Sequence, residues 1–330
     1  MRLRSLNLPA DLAGLSELLP ATFVYPDHPE WSLQTDELAE LASALATLKI
    51  LWPLFRAAQM VVPSFRDWMR GFVADEDGTL AGCVLYHRKG STDAWDISTV
   101  GMLPGFRRRG LARQLVQKAL ADIAARGGKR VTLGVIEENV PARSLYKSLG
   151  FEDFGGFVKY EAEAADFAGA TPSAGGVELS RLARFDWRPR FEFHSRIAPS
   201  EAEPFDPVTK EKYRDPLPVR PLVALIFAVR RMKDEDFIVR IARSPEPVAI
   251  GGYSLPTRGK GIARAHLSLD PTRSELAPAL LQHLLRLSAG QRQDLRIEIS
   301  ISHNMPHIIG AAEALGMNRR VDSRRMGLVL

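Results

Sequence analysis

One cysteine, Cys83, occurs in 330 residues, so an intrachain disulfide is excluded. It lies inside a strand-like run and reads as a small buried apolar residue, which suits a reducing, cytoplasmic setting. Long hydrophobic runs are also missing. The longest, Leu222 to Val229, falls well short of the roughly 20 residues a bilayer-spanning helix needs, and reads as a buried strand or helix segment. Met1 to Pro9 carries arginines but no apolar core, so no signal peptide and no membrane association are expected. Charge of one sign is not massed anywhere. The net charge is +5 and the only dense basic cluster is Arg107-Arg108-Arg109. Nucleic acid is therefore not an expected partner, because that footprint needs basic residues massed with aromatics or a binding motif.

Hydrophobic and charged contents of 45% and 25% are ordinary for a soluble globular chain, and the length favours two domains over one. Arg2 to Leu6 reads as a strand, 9 to 20 as a helix, and about 34 to 57 as a longer helix with Leu38, Leu41, Leu45 and Leu48 on one face. A hairpin follows, from Phe72 to Ala74 and from Leu80 to His87, around Asp75-Glu76-Asp77-Gly78. Trp95 to Leu103 is the next strand, broken by Pro104 and Gly105. From Gly110, Leu111, Leu115, Val116, Ala119, Leu120 and Ile123 recur at helical spacing until Gly127-Gly128. Val131 to Ile136 is a strand and Pro141 to Leu149 a short helix. Phe151 to Glu161 closes the unit.

Residues 163–176 form an alanine- and glycine-rich linker, after which the pattern restarts. Gly82 and Gly251, Pro104 and Pro271, and Gly150 and Gly316 are separated by 169, 167 and 166 residues. Ordered landmarks at a nearly constant spacing mark a duplicated unit. The boundaries read as 1–162 for the first domain and 177–330 for the second.

The most informative stretch is Arg107-Arg108-Arg109-Gly110-Leu111-Ala112, between a strand and a helix. The first amides of a helix have no internal partners, and the helix dipole adds positive potential there. Gly110 and Ala112 let an anion approach the backbone, so the turn points to a phosphorylated cofactor.

With these residues in view, the chain resembles the GCN5-related N-acetyltransferase (GNAT) superfamily. Met102-Leu103-Pro104 looks like the end of its fourth strand. Arg107-x-x-Gly110-x-Ala112 looks like its pyrophosphate-binding signature. Asn139, Ala142, Tyr146 and Leu149-Gly150-Phe151 look like its second signature. The likeness is specific over about 1–162 and weak over 177–330.

The resemblance implies an α/β (α+β) fold of two tandem GNAT-like domains. Each would be a mixed, mostly antiparallel twisted sheet flanked by helices, with the fourth and fifth strands splayed. It implies acetyl-CoA as cosubstrate, bound by Met102, Leu103, Arg107 and the amides of Arg108, Arg109, Gly110, Leu111, Ala112 and Arg113. A bulge in the fourth strand would free an amide near Met102 to meet the thioester carbonyl. No metal is implied. Tyr146 would protonate the leaving thiolate. Asp96 or Glu137, with Glu138 beside it, would take the amine's proton. Asn139 and Ala142 would contact the cofactor arm, or Asn139 would cap the helix that Pro141 opens. The acceptor would be a small-molecule or peptide amine, and a homodimer is compatible with the family. His303 and His307, four apart with Pro306 between them, read as loop or helix-start residues rather than metal ligands.

The second copy departs where chemistry is needed. At an offset of 166 residues, Leu276 and Pro278 fall on Gly110 and Ala112, and Ala312 on Tyr146. It is expected to keep the architecture without the cofactor site. The reading from another class is a non-catalytic acyl-CoA-binding sensor whose second domain binds a partner.

Overall fold

The computed structural model describes residues 1–169, 176–242 and 244–330. In chain order its elements are β1 (Arg2–Ser5), α1 (Leu12–Thr22), α2 (Thr35–Val61), β2 (Arg70–Glu76), β3 (Thr79–Arg88), β4 (Ala94–Met102), α3 (Leu111–Ala125), β5 (Arg130–Ile136), α4 (Val140–Lys147), β6 (Glu152–Glu163) and β7 (Val177–Leu182). They continue with α5 (Trp187–Ile197), α6 (Lys210–Tyr213), α7 (Arg220–Val229), β8 (Met232–Ile241), β9 (Pro247–Pro256), β10 (Ile262–Leu269), α8 (Ala277–Ala289), β11 (Arg296–Ser302), α9 (Pro306–Ala314) and β12 (Asn318–Val329). Part of the expected linker, 170–175, lies outside the described residues.

Two compact units result, and neither is contiguous in sequence. The first holds Met1–Phe154, Glu201–Ile226 and Arg324–Leu330; the second holds Gly155–Ser200 and Phe227–Ser323. In the first unit the strands run β1-β2-β3-β4-β5, with the end of β12 beside β5. In the second they run β6-β11-β10-β9-β8-β7. The strand expected to close the first repeat is thus spent elsewhere: Phe157–Glu163 of β6 pair antiparallel with β11. The change occurs at Gly155-Gly156. Gly155 has φ +151°, and a Cβ on Gly156 would meet the carbonyl of Ser323 at 2.3 Å. A side chain at either position would oppose that passage.

In the first unit α3 lies on one face of the sheet. Leu115, Val116, Ala119 and Ile123 are fully buried there with Trp95, Ile97, Val131 and Leu133. Burial of each larger aliphatic side chain among them stabilises by about 1.5–3 kcal/mol. A polar anchor fixes the helix's position. The Asp122 carboxylate accepts from Tyr86 at 2.8 Å, Arg70 at 3.1 Å and Arg126 at 2.8 Å. Cys83, Leu85 and Val73 pack with α1 through Leu15, Leu18 and Leu19, and burial pushes the Cys83 thiol up to about 12.

Helix α2 departs from the expectation drawn from hydrophobic runs. By length and composition alone its segment could cross a membrane, a test that core helices of soluble proteins also pass. Its Leu45, Leu48, Leu51 and Phe55 stripe is buried with Leu12 and Leu222. The run Leu222 to Val229 is helical, within α7.

Candidate active site

Strands β4 and β5 run parallel and pair from Ala94↔Arg130 to Ile97↔Leu133, and no further. Beyond Ile97 the two strands part. On its other side β4 stays paired with β3 as far as Met102. Leu103 N–H donates to the carbonyl of Ala81 at 2.9 Å. Alternate residues of a strand direct their polar groups to opposite sides, so the N–H and C=O of Met102 face away from β3, toward the split. The β4 bulge falls at Ser98, between the pairs Tyr86↔Ile97 and Leu85↔Thr99. The expected fourth-strand bulge thus lies four residues before Met102. The Met102 amide is free because β5 has diverged, not because the strand is locally irregular.

The chain then turns into α3. Arg108 has φ +60° and Gly110, the N-cap, φ +74°. Left-handed backbone costs a non-glycine residue about 1–2 kcal/mol, so Arg108 holds strain at this turn while Gly110 holds none. The first backbone bond into the helix is Gln114 N–H to the Gly110 carbonyl, at 3.2 Å. Among the described residues, the amides of Arg108 through Arg113 donate to no protein acceptor. A row of unpaired amides at a helix start, with open space around the Cα of Gly110, forms an anion cradle.

The arginines beside the cradle are not equivalent. Arg107 donates from Nε to the Met102 carbonyl at 3.2 Å and from Nη2 to the Thr22 carbonyl at 3.0 Å. Its guanidinium also lies 5.6 Å from the centre of the Tyr25 ring. Its side chain is a brace between α1 and β4. Arg109 lies 5.1 Å from the centre of the Phe106 ring, and Arg113 donates to Ser148 at 2.6 Å. Arg108 is exposed and has no partner among the described residues.

Tyr146, on α4, is buried edge-on to Phe151, with ring centres 6.0 Å apart. Its hydroxyl has no hydrogen-bond partner among the described residues. Burial raises it above the ordinary tyrosine value, and the neighbouring Tyr25 adds to the effect. Tyr25 is itself raised by burial and opposed by Arg107. Tyr25, in the α1–α2 connection, thus carries the Arg107 guanidinium over its ring. Sequence reasoning missed it, since nothing local distinguishes a tyrosine in a loop.

Asn139 is the cap of α4, its Oδ1 accepting from Ala142 N–H at 3.2 Å. Of the two uses left open for this side chain, capping is the one the geometry fills. Glu137 is held between Arg143, at 3.4 Å, and Arg324. Two guanidiniums on one carboxylate make a structural clamp. Glu138 is exposed.

Asp96 stands opposite His87 on β3 and Thr132 on β5, at the last pairs before the strands part. Its Oδ1 accepts from Thr132 at 2.7 Å and lies 3.7 Å from Lys89 Nζ. Its Oδ2 makes no contact of this kind among the described residues. Burial lowers His87 below the ordinary histidine value and keeps its ring neutral near pH 7, against the opposing pull of Asp96.

In the second unit β10 and β11 repeat the short parallel pairing, from Ile262↔Arg296 to Ala265↔Ile299. The turn after β10 differs. A 3-10 segment over Pro271–Leu276 runs into α8, with Pro278 in the first turn. Proline has no N–H to offer an anion. Ala312, at the position of Tyr146, is buried in α9. His303 pairs with Asp322 at 2.8 Å, and no cluster able to hold a metal occurs among the described residues.

Residues 38–151 match the model of the acetyltransferase (GNAT) family. An uncharacterized N-acetyltransferase of Mycobacterium tuberculosis is 35% identical over 79 residues, which are 24% of this chain and 50% of that one. A mycothiol acetyltransferase of Beutenbergia cavernae is 39% identical over 77 residues, 23% of this chain and 26% of that one. The chain therefore spans half or less of the length of these curated relatives. Among solved structures, a tandem GNAT protein from the clavulanic acid biosynthesis pathway aligns over 99% of this chain and 98% of its own, with TM-score 0.65 and 12% identity. A GCN5-related N-acetyltransferase from Sphaerobacter thermophilus aligns over 99% and 95%, with TM-score 0.62 and 15% identity. The match places an acetyltransferase domain of the GNAT family at residues 38–151, and the two solved structures share the fold of the chain.

Proposed function

We propose that the first unit moves an acetyl group from acetyl-CoA to a primary amine by direct attack within a ternary complex. The observation that carries this reading is the row of unpaired amides from Arg108 to Arg113, following a strand whose neighbour has parted from it. The residues present fit coenzyme A: the amide row suits a pyrophosphate and the gap between β4 and β5 suits an extended arm. The thioester is the acetyl donor when bound. Met102 N–H, aimed into the split, would donate to the carbonyl oxygen and hold it as negative charge develops. Asp96, six residues and about 20 Å along β4 from Met102, would take the proton of the attacking amine through intervening water rather than by direct contact. Tyr146, which burial keeps protonated, would supply a proton to the departing thiolate. Glu137, clamped by two arginines, is the weaker candidate for base.

The test is calorimetric titration of the full chain with coenzyme A, followed by acetyl transfer to a panel of spermidine, glucosamine, lysine methyl ester and a peptide N-terminus. Saturable binding with turnover on at least one amine is expected. Tight binding with no turnover on any amine would favour the acyl-CoA sensor instead. No binding would remove both readings.

A further inference from the structure

Three cations converge on one carboxylate in the first unit. Asp206 is 2.9 Å from Lys89 Nζ, 2.8 Å from Lys212 Nζ and 3.1 Å from Arg325 Nη2. Asp206 and Lys212 lie between α5 and α7, in the stretch Glu201–Ile226 that belongs to the first unit although it comes late in the sequence. The stretch is seated closely. A Cβ on Gly90 would meet the carbonyl of Glu211 at 2.5 Å.

Two routes lead from Asp206 to Asp96, and both end on Oδ1. In one, Lys89, whose side chain is only 12% exposed, reaches 2.9 Å to Asp206 and 3.7 Å to Asp96. In the other, Arg325 Nη2 bonds Asp206 and lies 3.5 Å from Thr132 Oγ1, and Thr132 donates its proton to Asp96. The buried ammonium has two carboxylates within reach and sits on the farther one from the strand pair. At the ordinary distance of an ion pair Lys89 would occupy Asp96 and hold its charge, leaving a poor proton acceptor.

We infer that Asp206 is a positioning residue: it draws Lys89 off Asp96 and so leaves the Asp96 carboxylate free to accept the proton that the acceptor amine gives up. The inference rests on the reading of Asp96 as the base. Charged or titratable groups around Asp96 and Asp206 are His87 from β3, Lys89 just after it, Lys212 and Tyr213 from the 201–226 stretch, and Arg325 from β12. Burial lowers Lys89 below the ordinary lysine value, with Asp206 the largest opposing influence. Asp206 itself is held below the usual carboxylate range by Lys89 and Lys212, which outweigh its burial.

The experiment compares Asp206→Asn, Lys89→Met and the double variant in the full chain, by carbon NMR of labelled aspartate and by acetyl transfer. With Asp206 neutral, Lys89 closes on Asp96 from 3.7 Å, and the Asp96 carboxyl resonance moves from its position in the parent at pH 7. The transfer rate at pH 7 falls about tenfold, with the KM for acetyl-CoA unmoved. Adding Lys89→Met reverses both changes. An Asp96 resonance that does not move in Asp206→Asn, or that stays displaced in the double variant, overturns the inference. A resonance that moves as expected while Asp96→Asn transfers acetyl at the parent rate supports the positioning of Lys89. That outcome removes Asp96 as the base, a separate failure.

Discussion

The Arg107 guanidinium donates to the carbonyl of Thr22 at 3.0 Å and ties the turn after β4 to the end of α1. Its other bond, to the Met102 carbonyl, holds the residue whose amide faces the split. A residue at the heart of a phosphate-binding signature therefore works here through its side chain as a brace. Arg107→Ala leaves two carbonyls without a charged donor and is expected to cost about 1–3 kcal/mol in urea unfolding. Coenzyme A affinity should fall less than in variants of the amide row itself. Unchanged stability with lost affinity would mean that the guanidinium meets the anion directly.

Tyr146→Phe tests the acid. The hydroxyl has no hydrogen-bond partner among the described residues, so removing it should leave the thermal midpoint and coenzyme A affinity nearly unchanged. Turnover should fall by about 100-fold, the ordinary contribution of a positioned general acid. Burial raises this tyrosine above its usual value near 10, so the parent should show no loss of rate from its deprotonation below about pH 10. Steady-state kinetics against pH read both. An unaltered rate in the variant removes Tyr146 from the chemistry.

What could be read from the sequence, and what could not, divides by range. The strand before Pro104, the helix after Gly110 and the cap at Asn139 are local, and hydrophobic spacing and turn chemistry specify them within a residue or two. The spacing of Gly82 and Gly251 exposes the duplication because each lies inside the third strand of its repeat, where a side chain would press on the following strand. The surroundings of Asp96 are not local. Thr132 is 36 residues away, and Asp206 and Arg325 are more than a hundred away, on chain that composition assigns to the other repeat. The destination of β6 was equally hidden. Phe151 to Glu161 reads as a closing strand with Gly155-Gly156 inside it, and no residue in it states which sheet it will join.

Acid sensitivity should centre partly on Asp11. Arg4 grips both oxygens of this carboxylate at 2.8 Å and also reaches Asp75 at 2.8 Å. The guanidinium, aided by the Asn7 amide, holds Asp11 below the usual carboxylate range against its burial. A carboxylate lowered in the folded state contributes stability in full above its unfolded value, near 3.9, and loses it as pH falls through the folded value. Asp11→Asn should therefore cost on the order of 1 kcal/mol at neutral pH. The gap between parent and variant should stay level down to about pH 4 and narrow below it. Urea titrations at several pH values measure this. A gap constant down to pH 2 would show that the ion pair contributes nothing.

Stoichiometry separates the two repeats. The first offers a helix start with glycine at φ +74° and unpaired amides; the second offers Leu276 and Pro278 at the matching positions, with Glu275 beside them. Leucine brings a side chain, proline lacks an N–H and glutamate repels a diphosphate. Calorimetry of the full chain should give one coenzyme A per chain. Gly110→Glu places a carboxylate in the cradle and forces a left-handed conformation that costs a side chain about 1–2 kcal/mol. Binding in that variant should weaken by at least 100-fold, with the fold retained by circular dichroism. Two equivalents in the parent, or one remaining in Gly110→Glu, would place an anion site in the second unit and require a donor row other than the one at the start of α3.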